Sequence, residues 1–304
     1  MRQVTVLGSS GAFPEPGRAC SGFAVDWDGY RLVLDLGYAT LPRLLRHWPD
    51  GAVDAVVITH EHPDHCVDLH GLFRMRFYGD FGGPRLPLYC PPGVLDRLSG
   101  LEPDVDLHAV FDMHPLPGNY RVGPFDLTGL SLPHYVPNAG IRIQADGIAL
   151  AYSGDTGPTP ALAELGRDAG LFIVEATDRE GETDRPTRNL MTSTEAGHWA
   201  RRAGARATDA HPLLARQRPD SRSGCRAAGV RGCRAGGRRR PHRHTRGTRS
   251  LRVVAAEWTS AATTASYAAG QRAPASGRTR STRYLSTAPM VHAVRWYEPC
   301  PQPS

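Results

Sequence analysis

Val53-Asp-Ala-Val-Val-Ile-Thr-His-Glu-His-Pro-Asp-His65 is the stretch on which the reading of this chain turns. Its first half, Val53 to Thr59, is a nearly continuous apolar run, the pattern of a strand covered on both faces. Its second half sets His60 and His62 two apart at the strand end, where the side-chain period of two points both imidazoles the same way. Asp64 and His65 then open the next helix, where they face a second ion nearby. One loop thus offers ligands to two metals. The competing reading is a chance His-rich loop. With 13 His in 304 residues, chance places three His and one Asp at such positions in roughly a few chains per thousand, so the metal reading is preferred.

Further strands and helices are legible on either side of this loop. Gln3 to Leu7 is a short β-rich run ended by Gly8-Ser9-Ser10-Gly11, and Arg31-Leu-Val-Leu-Asp35 is another, stopped by Gly37. Leu41, Leu44 and Leu45 show helical spacing. Leu88 to Cys90, Phe125 to Leu127, Gly140 to Ile143, Ile148 to Tyr152 and Leu171 to Val174 read as strands, and Gly93 to Leu98, Pro160 to Leu165 and Ser193 to Ala203 as helices. Strands that first meander and then alternate with helices give an α/β fold with helices packed outside stacked sheets.

From about Ala207 this grammar stops. Arg, Ala, Gly, Cys, Ser, Pro and Thr recur without a strand or helix period, as in Gly229 to Arg240, and only Leu251 to Ala256 and Met290 to Val294 are modest apolar runs. Charge changes at the same place. Residues 1–206 hold 18 Arg and 26 acids, net −8, whereas residues 207–304 hold 18 Arg and 4 acids, net +14, together the +6 of the whole chain. No lysine accompanies the 36 basic residues, which points to a GC-rich gene rather than to a selected nucleic-acid surface. The domains expected are therefore 1–206, and a basic low-order tail over 207–304.

No apolar run approaches the ~18 residues of a membrane span, and the N-terminus enters a strand without a signal-peptide core, so no membrane partner and a cytoplasmic location are expected. Cys20, Cys66, Cys90, Cys225, Cys233 and Cys300 form no CxxC pair and read as reduced thiols.

The metal loop, the opening Val4-Thr-Val-Leu-Gly-Ser-Ser-Gly-Ala-Phe-Pro14 and Leu34-Asp35-x-Gly37 together resemble the metallo-β-lactamase superfamily, and within it the ribonuclease Z and phosphodiesterase branch. The resemblance covers residues 1 to about 206. It implies an αββα sandwich with the metals at one edge and an irregular segment after it. It also implies the remaining ligands. His134, in Leu132-Pro133-His134-Tyr135, fits the third His of the first metal, although a lone His after Pro also suits an ordinary loop. Asp155, in Tyr152-Ser153-Gly154-Asp155-Thr156, matches the carboxylate that bridges both ions, against an Asx turn or N-cap before Pro158. Glu175 falls where the family carries an acid near the metals, and a purely structural carboxylate fits equally. Asp35 reads as the acceptor of a ligating His ring N–H, or as a turn former beside Gly37. His47, His70, His108, His114 and His198 sit in no ligand-spaced pair and read as surface or packing residues.

The expected cofactor is a pair of zinc ions, with manganese the alternative metal. They would activate a water for attack on a phosphodiester, with Asp64 orienting that water or taking its proton. Arg74 and Arg76 could meet phosphate or could form a solvated helix face. Only 20 residues separate His134 from Asp155, too few for the tRNA-gripping arm that ribonuclease Z enzymes commonly carry there. The leaving-group His of the family falls here at Asn189 or Leu190. The resemblance is thus nearer to phosphodiesterases of small substrates such as cyclic nucleotides. The alternatives are tRNA 3′ processing with RNA as partner, hydrolysis of another ester or lactone, and an impaired product with an incomplete second metal site. A homodimer is the assembly allowed for.

The family pattern also calls for a buried strand ending in Leu-Thr-His directly after the Ser193 to Ala205 segment, its His completing the second metal site. Read one nucleotide later, the codons for Thr208 to Pro219 can spell Leu-Met-Leu-Thr-His-Phe-Trp-Pro-Gly-Asn-Asp-Arg. The tail is therefore expected to be translated out of frame, leaving 1–206 without its last strands and final ligand. His211 is the nearest substitute, set against it the following Pro212 and the lost strand.

Overall fold

Apolar residues that alternate between two faces build the sheets. In the strand Tyr30–Leu36, Val33 packs with one group of buried residues while Leu32 and Leu34 pack with another, so neighbours in sequence serve opposite faces. The structure, a computed structural model, describes residues 1–79, 83–181, 187–206, 208–211 and 251–255. These fall within one unit, Met1–Ala256; Glu257–Ser304 lies outside the described residues.

Strands β1 (Arg2–Gly8), β2 (Gly22–Trp27) and β3 (Tyr30–Leu36) form an antiparallel meander. Then β4 (Ala55–Val57), β5 (Leu86–Cys90) and β6 (Phe111–Pro115) continue the sheet in parallel. The second sheet begins with antiparallel β7 (Asn119–Val122), β8 (Phe125–Leu132), β9 (Asn138–Ala145) and β10 (Ile148–Tyr152), followed in parallel by β11 (Leu171–Glu175) and β12 (Thr208–His211). Finally β13 (Arg252–Ala255) joins the first sheet beside β1, in parallel.

Six α-helices lie among the described residues: α1 (Leu41–His47), α2 (Pro63–Cys66), α3 (Asp68–Tyr78), α4 (Val94–Ser99), α5 (Ala161–Leu165) and α6 (Ser193–Ala203). Three hydrophobic layers show how they stack. Leu44, Leu69, Leu72, Phe73, Val94 and Leu98 pack on Val33, Val56 and Leu88, so α1, α3 and α4 cover the first sheet. Phe23, Leu32 and Leu34 meet Leu127, Ile141, Tyr152 and Ile173 between the sheets. Leu162, Leu165, Ala196 and Ala200 pack on Phe172 and Val174, so α5 and α6 cover the second sheet. The order is αββα, as the sequence led us to expect. No helix among the described residues is long and apolar enough to cross a membrane.

The start and stop of α6 are written in its ends. Thr192 accepts from the Glu195 N–H at 3.2 Å while the Glu195 carboxylate accepts from the Thr192 N–H at 2.9 Å, a reciprocal cap, and Gly204 ends the helix at φ 69°.

One expectation is corrected. The apolar run Val53 to Thr59 supplies only a three-residue strand, because its end is drawn out of the ladder. The Thr59 N–H goes to Asp35 and its carbonyl accepts from Ala139 of the second sheet, so the chain crosses from one sheet towards the other just before the histidines. Beyond Arg206 two short segments add to the sheets. Thr208–His211 pairs with β11 and Arg252–Ala255 with β1. Parallel pairing at a sheet edge draws on backbone groups, so it needs no apolar alternation to form. The remainder of 207–304, with the apolar run Met290 to Val294 and Cys225, Cys233 and Cys300, lies outside the described residues.

Candidate metal centre

Elements from both sheets converge where β4 ends. The loop after β4 brings His60, His62, Asp64 and His65; the turn after β8 brings His134; the turn after β10 brings Asp155. Gly37 makes the approach possible, since a Cβ there would stand 1.8 Å from the Asp64 carbonyl oxygen. Gly154 does the same beside Thr59 and Asn138 and sits at φ +57°, a conformation that glycine adopts without strain.

The ligand-capable atoms fall into two groups that share His60. His60, His62 and His134 form one, and His60, His65 and Asp155 the other, with the atoms of each group within 4.8 Å of one another. His62 Nδ1 lies 3.1 Å from His134 Nε2. The two oxygens of Asp155 divide between the groups: Oδ1 is 3.2 Å from His65 Nε2 and Oδ2 is 4.0 Å from His134 Nε2. Asp64 stands at the rim, with Oδ2 accepting the Ala12 N–H at 2.7 Å and lying 3.7 Å from His65 Nε2.

Three of the four imidazoles are aimed by a partner on Nδ1. Thr59 Oγ1 meets His60 Nδ1 at 3.0 Å, the Asn189 carbonyl accepts from His134 Nδ1 at 3.0 Å, and Asp35 accepts from His65 Nδ1 at 2.7 Å. Asp35 is fully buried and also accepts from the Thr59 N–H, the Thr59 hydroxyl and the Tyr152 hydroxyl. Burial, and then Asp35 itself, push the Tyr152 hydroxyl well above its ordinary range, so it donates rather than ionises.

Burial, followed by the neighbouring His65, holds His60 well below the usual imidazole range. Burial lowers His62 and His134 as well, so these three present lone pairs rather than protons. His65 differs. Burial opposes its protonation, but Asp155 and Asp35 outweigh burial and push it well above the ordinary value. Burial likewise opposes ionisation of Asp155, yet His65, His60 and His134 hold it well below the usual carboxylate range.

These residues fit a divalent metal. His60 Nε2 is buried without a hydrogen-bond partner, a costly state for a polar atom unless a cation takes its lone pair. The donor set, imidazole nitrogens with carboxylate oxygens, suits zinc and neighbouring divalent ions.

Glu175, the other acid expected near the metals, faces a backbone loop. Its carboxylate accepts from the Thr177 N–H and hydroxyl, at 2.9 and 2.8 Å, and from the Met191 N–H. Burial, and then Asp155, raise it well above the usual range. Arg74 and Arg76 do not turn to the centre: Arg74 pairs with Glu102 at 2.6 Å and Arg76 donates to the Pro84 carbonyl. His47, His70 and His114 find Thr5, Glu102 and Asp112, away from the ligand groups. Backbone pairing sets His211 opposite Glu175.

Several participants carried no sequence signal. Ser21 Oγ lies 3.3 Å from His65 Nε2, and Asn138 donates to the Asp155 carbonyl at 2.8 Å. The Ala12 amide and the Asn189 carbonyl are backbone groups, which residue identity does not announce. Thr59 was open to discovery, as a hydroxyl directly before the first ligand His.

Comparison with known proteins agrees with this geometry. Residues 31–210 match the Beta-lactamase superfamily domain. An uncharacterized protein of Mycobacterium leprae is 36% identical over 219 residues, covering 67% of this chain and 75% of its own. The probable metallo-hydrolase YhfI of Bacillus subtilis is 30% identical over 206 residues, covering 67% and 83%. The crystal structure of YhfI, a metallo-β-lactamase fold protein, superposes with a TM-score of 0.61 at 28% identity over 69% of this chain and 86% of that one. Human tRNase Z, short form, shares the fold with a TM-score of 0.60 at 23% identity, over 70% and 93%. On the match over residues 31–210 and the sandwich that carries the two ligand groups, the chain belongs to the beta-lactamase superfamily.

Proposed function

We propose that this metal-dependent hydrolase is a two-zinc phosphodiesterase acting on a small phosphodiester such as a cyclic nucleotide. His60, His62 and His134 would hold one ion, Asp64 and His65 the other, and Asp155 would bridge them. Two such ions supply a water acidified towards neutrality and a clamp on phosphoryl oxygens. The chain's own residues do the rest. Asp35, the Asn189 carbonyl and Thr59 fix the orientations of His65, His134 and His60, so that the Nε2 atoms are held in place on the side away from these partners. Asp64 is anchored through Oδ2 by the Ala12 amide, which leaves Oδ1 to orient the attacking water or receive its proton. Glu175 positions the segment that carries Asn189 through its bonds to Thr177 and Met191.

The observation that supports a small substrate is the connection between His134 and Asp155. Strands β9 and β10 take up 138–145 and 148–152 of it, leaving only residues 135–137, a hairpin turn at 146–147 and residues 153–154. An arm to hold tRNA has no room there. The test is hydrolysis of bis-p-nitrophenyl phosphate, cAMP and precursor tRNA by zinc-loaded protein. Turnover of the first two with little of the third is expected; precursor tRNA as the best substrate would overturn the reading.

A further inference from the structure

Phe13 and Tyr135 are two of the large apolar residues exposed among the described ones, at 42% and 59%, and both adjoin the metal centre. Phe13 follows Ala12, whose N–H donates to Asp64 Oδ2 at 2.7 Å. Tyr135 follows His134, and its ring centroid lies 5.2 Å from that of His134, edge to face. The ligand atoms connect them in series: Asp64 Oδ2 lies 3.7 Å from His65 Nε2, which lies 3.2 Å from Asp155 Oδ1, whose partner oxygen is 4.0 Å from His134 Nε2. Each ring thus directly follows a residue bonded to, or part of, the ligand cluster, Phe13 after the amide that holds Asp64 and Tyr135 after His134.

The placement of Phe13 is held under strain. Ala12 has φ +56°, a left-handed conformation unfavourable for a residue with a Cβ, and the Phe13 N–H closes a tight turn onto the Gly11 carbonyl at 2.6 Å. This turn keeps the Ala12 amide on Asp64 and leaves the Phe13 ring outside all three hydrophobic layers. Tyr135 too belongs to none of them. Neither ring serves the core, and both are exposed aromatic groups next in sequence to residues of the candidate site.

We propose that Phe13 and Tyr135 determine specificity at this site by stacking on a planar heteroaromatic group attached to the phosphate, a nucleobase being the chemical class that fits. This rests on the phosphodiesterase reading above. Base stacking on an aromatic side chain tolerates any base, because each presents a π face, and it needs no hydrogen-bond code. The metals recognise the phosphate and the rings recognise what it carries.

The test is calorimetric titration of the zinc-loaded full chain with adenosine 5′-monophosphate and, separately, ribose 5-phosphate, which has the same phosphate without a base. Parent protein should bind the nucleotide more tightly. Phe13→Ala and Tyr135→Ala should each weaken nucleotide binding by roughly ten-fold, the scale of one lost stack, while ribose 5-phosphate binding and zinc content stay at parental values. Phe13→Tyr and Tyr135→Phe should restore nucleotide affinity. Unchanged nucleotide affinity in either alanine variant overturns the proposal, as does an equal loss for both ligands. Failure of the parent to bind either phosphate removes the phosphodiesterase reading itself, and the ring proposal with it.

Discussion

Asp35→Asn tests the positioning of the second ligand group with almost no change of shape. In the parent, Oδ1 accepts the Thr59 N–H at 2.7 Å, while Oδ2 accepts from His65 Nδ1 at 2.7 Å, the Tyr152 hydroxyl at 2.7 Å and the Thr59 hydroxyl at 2.9 Å. An asparagine has one acceptor oxygen. Placed where Oδ2 was, it keeps three of the four bonds, but its amide then meets the Thr59 N–H donor to donor. Placed where Oδ1 was, it strands three donors and forces His65 to carry its proton on Nε2, the atom that faces Asp155. The first arrangement is cheaper, and one lost charge-assisted bond with an unpaired buried donor costs about 2–3 kcal/mol. Asparagine tolerates the φ of +56° at this position, so no backbone cost is added. Loss of the carboxylate behind a ligating His weakens metal binding by roughly 10- to 100-fold, or about 1.4–2.7 kcal/mol at the second group. Urea unfolding of zinc-free protein reads the first quantity, and competition with a chromophoric chelator reads the second. A variant within about 0.5 kcal/mol of parent stability, with zinc affinity unchanged at both sites, would refute this account of Asp35.

Asp155→Ala should lower the content of both metals, since its two oxygens face the two ligand groups, and His62→Ala should lower metal content and hydrolysis together. Metal analysis of the purified variants checks both, and an unchanged His62→Ala protein would sink the metal reading. Precursor tRNA should be cut poorly at physiological salt, because residues 1–206 are net −8 and arm-borne phosphate contacts supply most salt-dependent RNA affinity; efficient cleavage contradicts this. Resequencing the gene should show a single-base insertion or deletion near codon 206. A confirmed frame in a protein that holds two zinc ions tightly argues the opposite.

The sequence pointed to the four metal-loop residues, which the structure gathers in one place, because their spacing on a strand end is itself geometry. It showed His134 and Asp155 through resemblance, since neither has a local pattern that excludes an ordinary loop role. Strands such as β3 and β11 were visible as β-rich runs that serve two cores at once. By contrast β6, Phe111–Pro115, alternates with Asp and His at the rim of its sheet and passes for a loop, and β12, Thr208–His211, has no apolar alternation. Its pairing rests on the backbone groups of β11, which only the folded partner supplies. The same applies to the Ala12 amide and the Asn189 carbonyl: they act through peptide groups that every residue possesses, so position alone gives them a role.

Strands β12 and β13 have a bearing on how the protein can be handled. Each is the outermost strand of its sheet, one beside β11 and the other beside β1. Trimming the chain at Arg206 would strip both margins together, leaving Leu171-Phe-Ile-Val-Glu175 and Arg2-Gln-Val-Thr-Val-Leu-Gly8 with open rows of amides and carbonyls. Such unpaired, β-branched margins recruit strands from neighbouring molecules. A shortened protein prepared to discard the basic tail would therefore be expected to precipitate or form ladders of chains, however intact its ligand cluster.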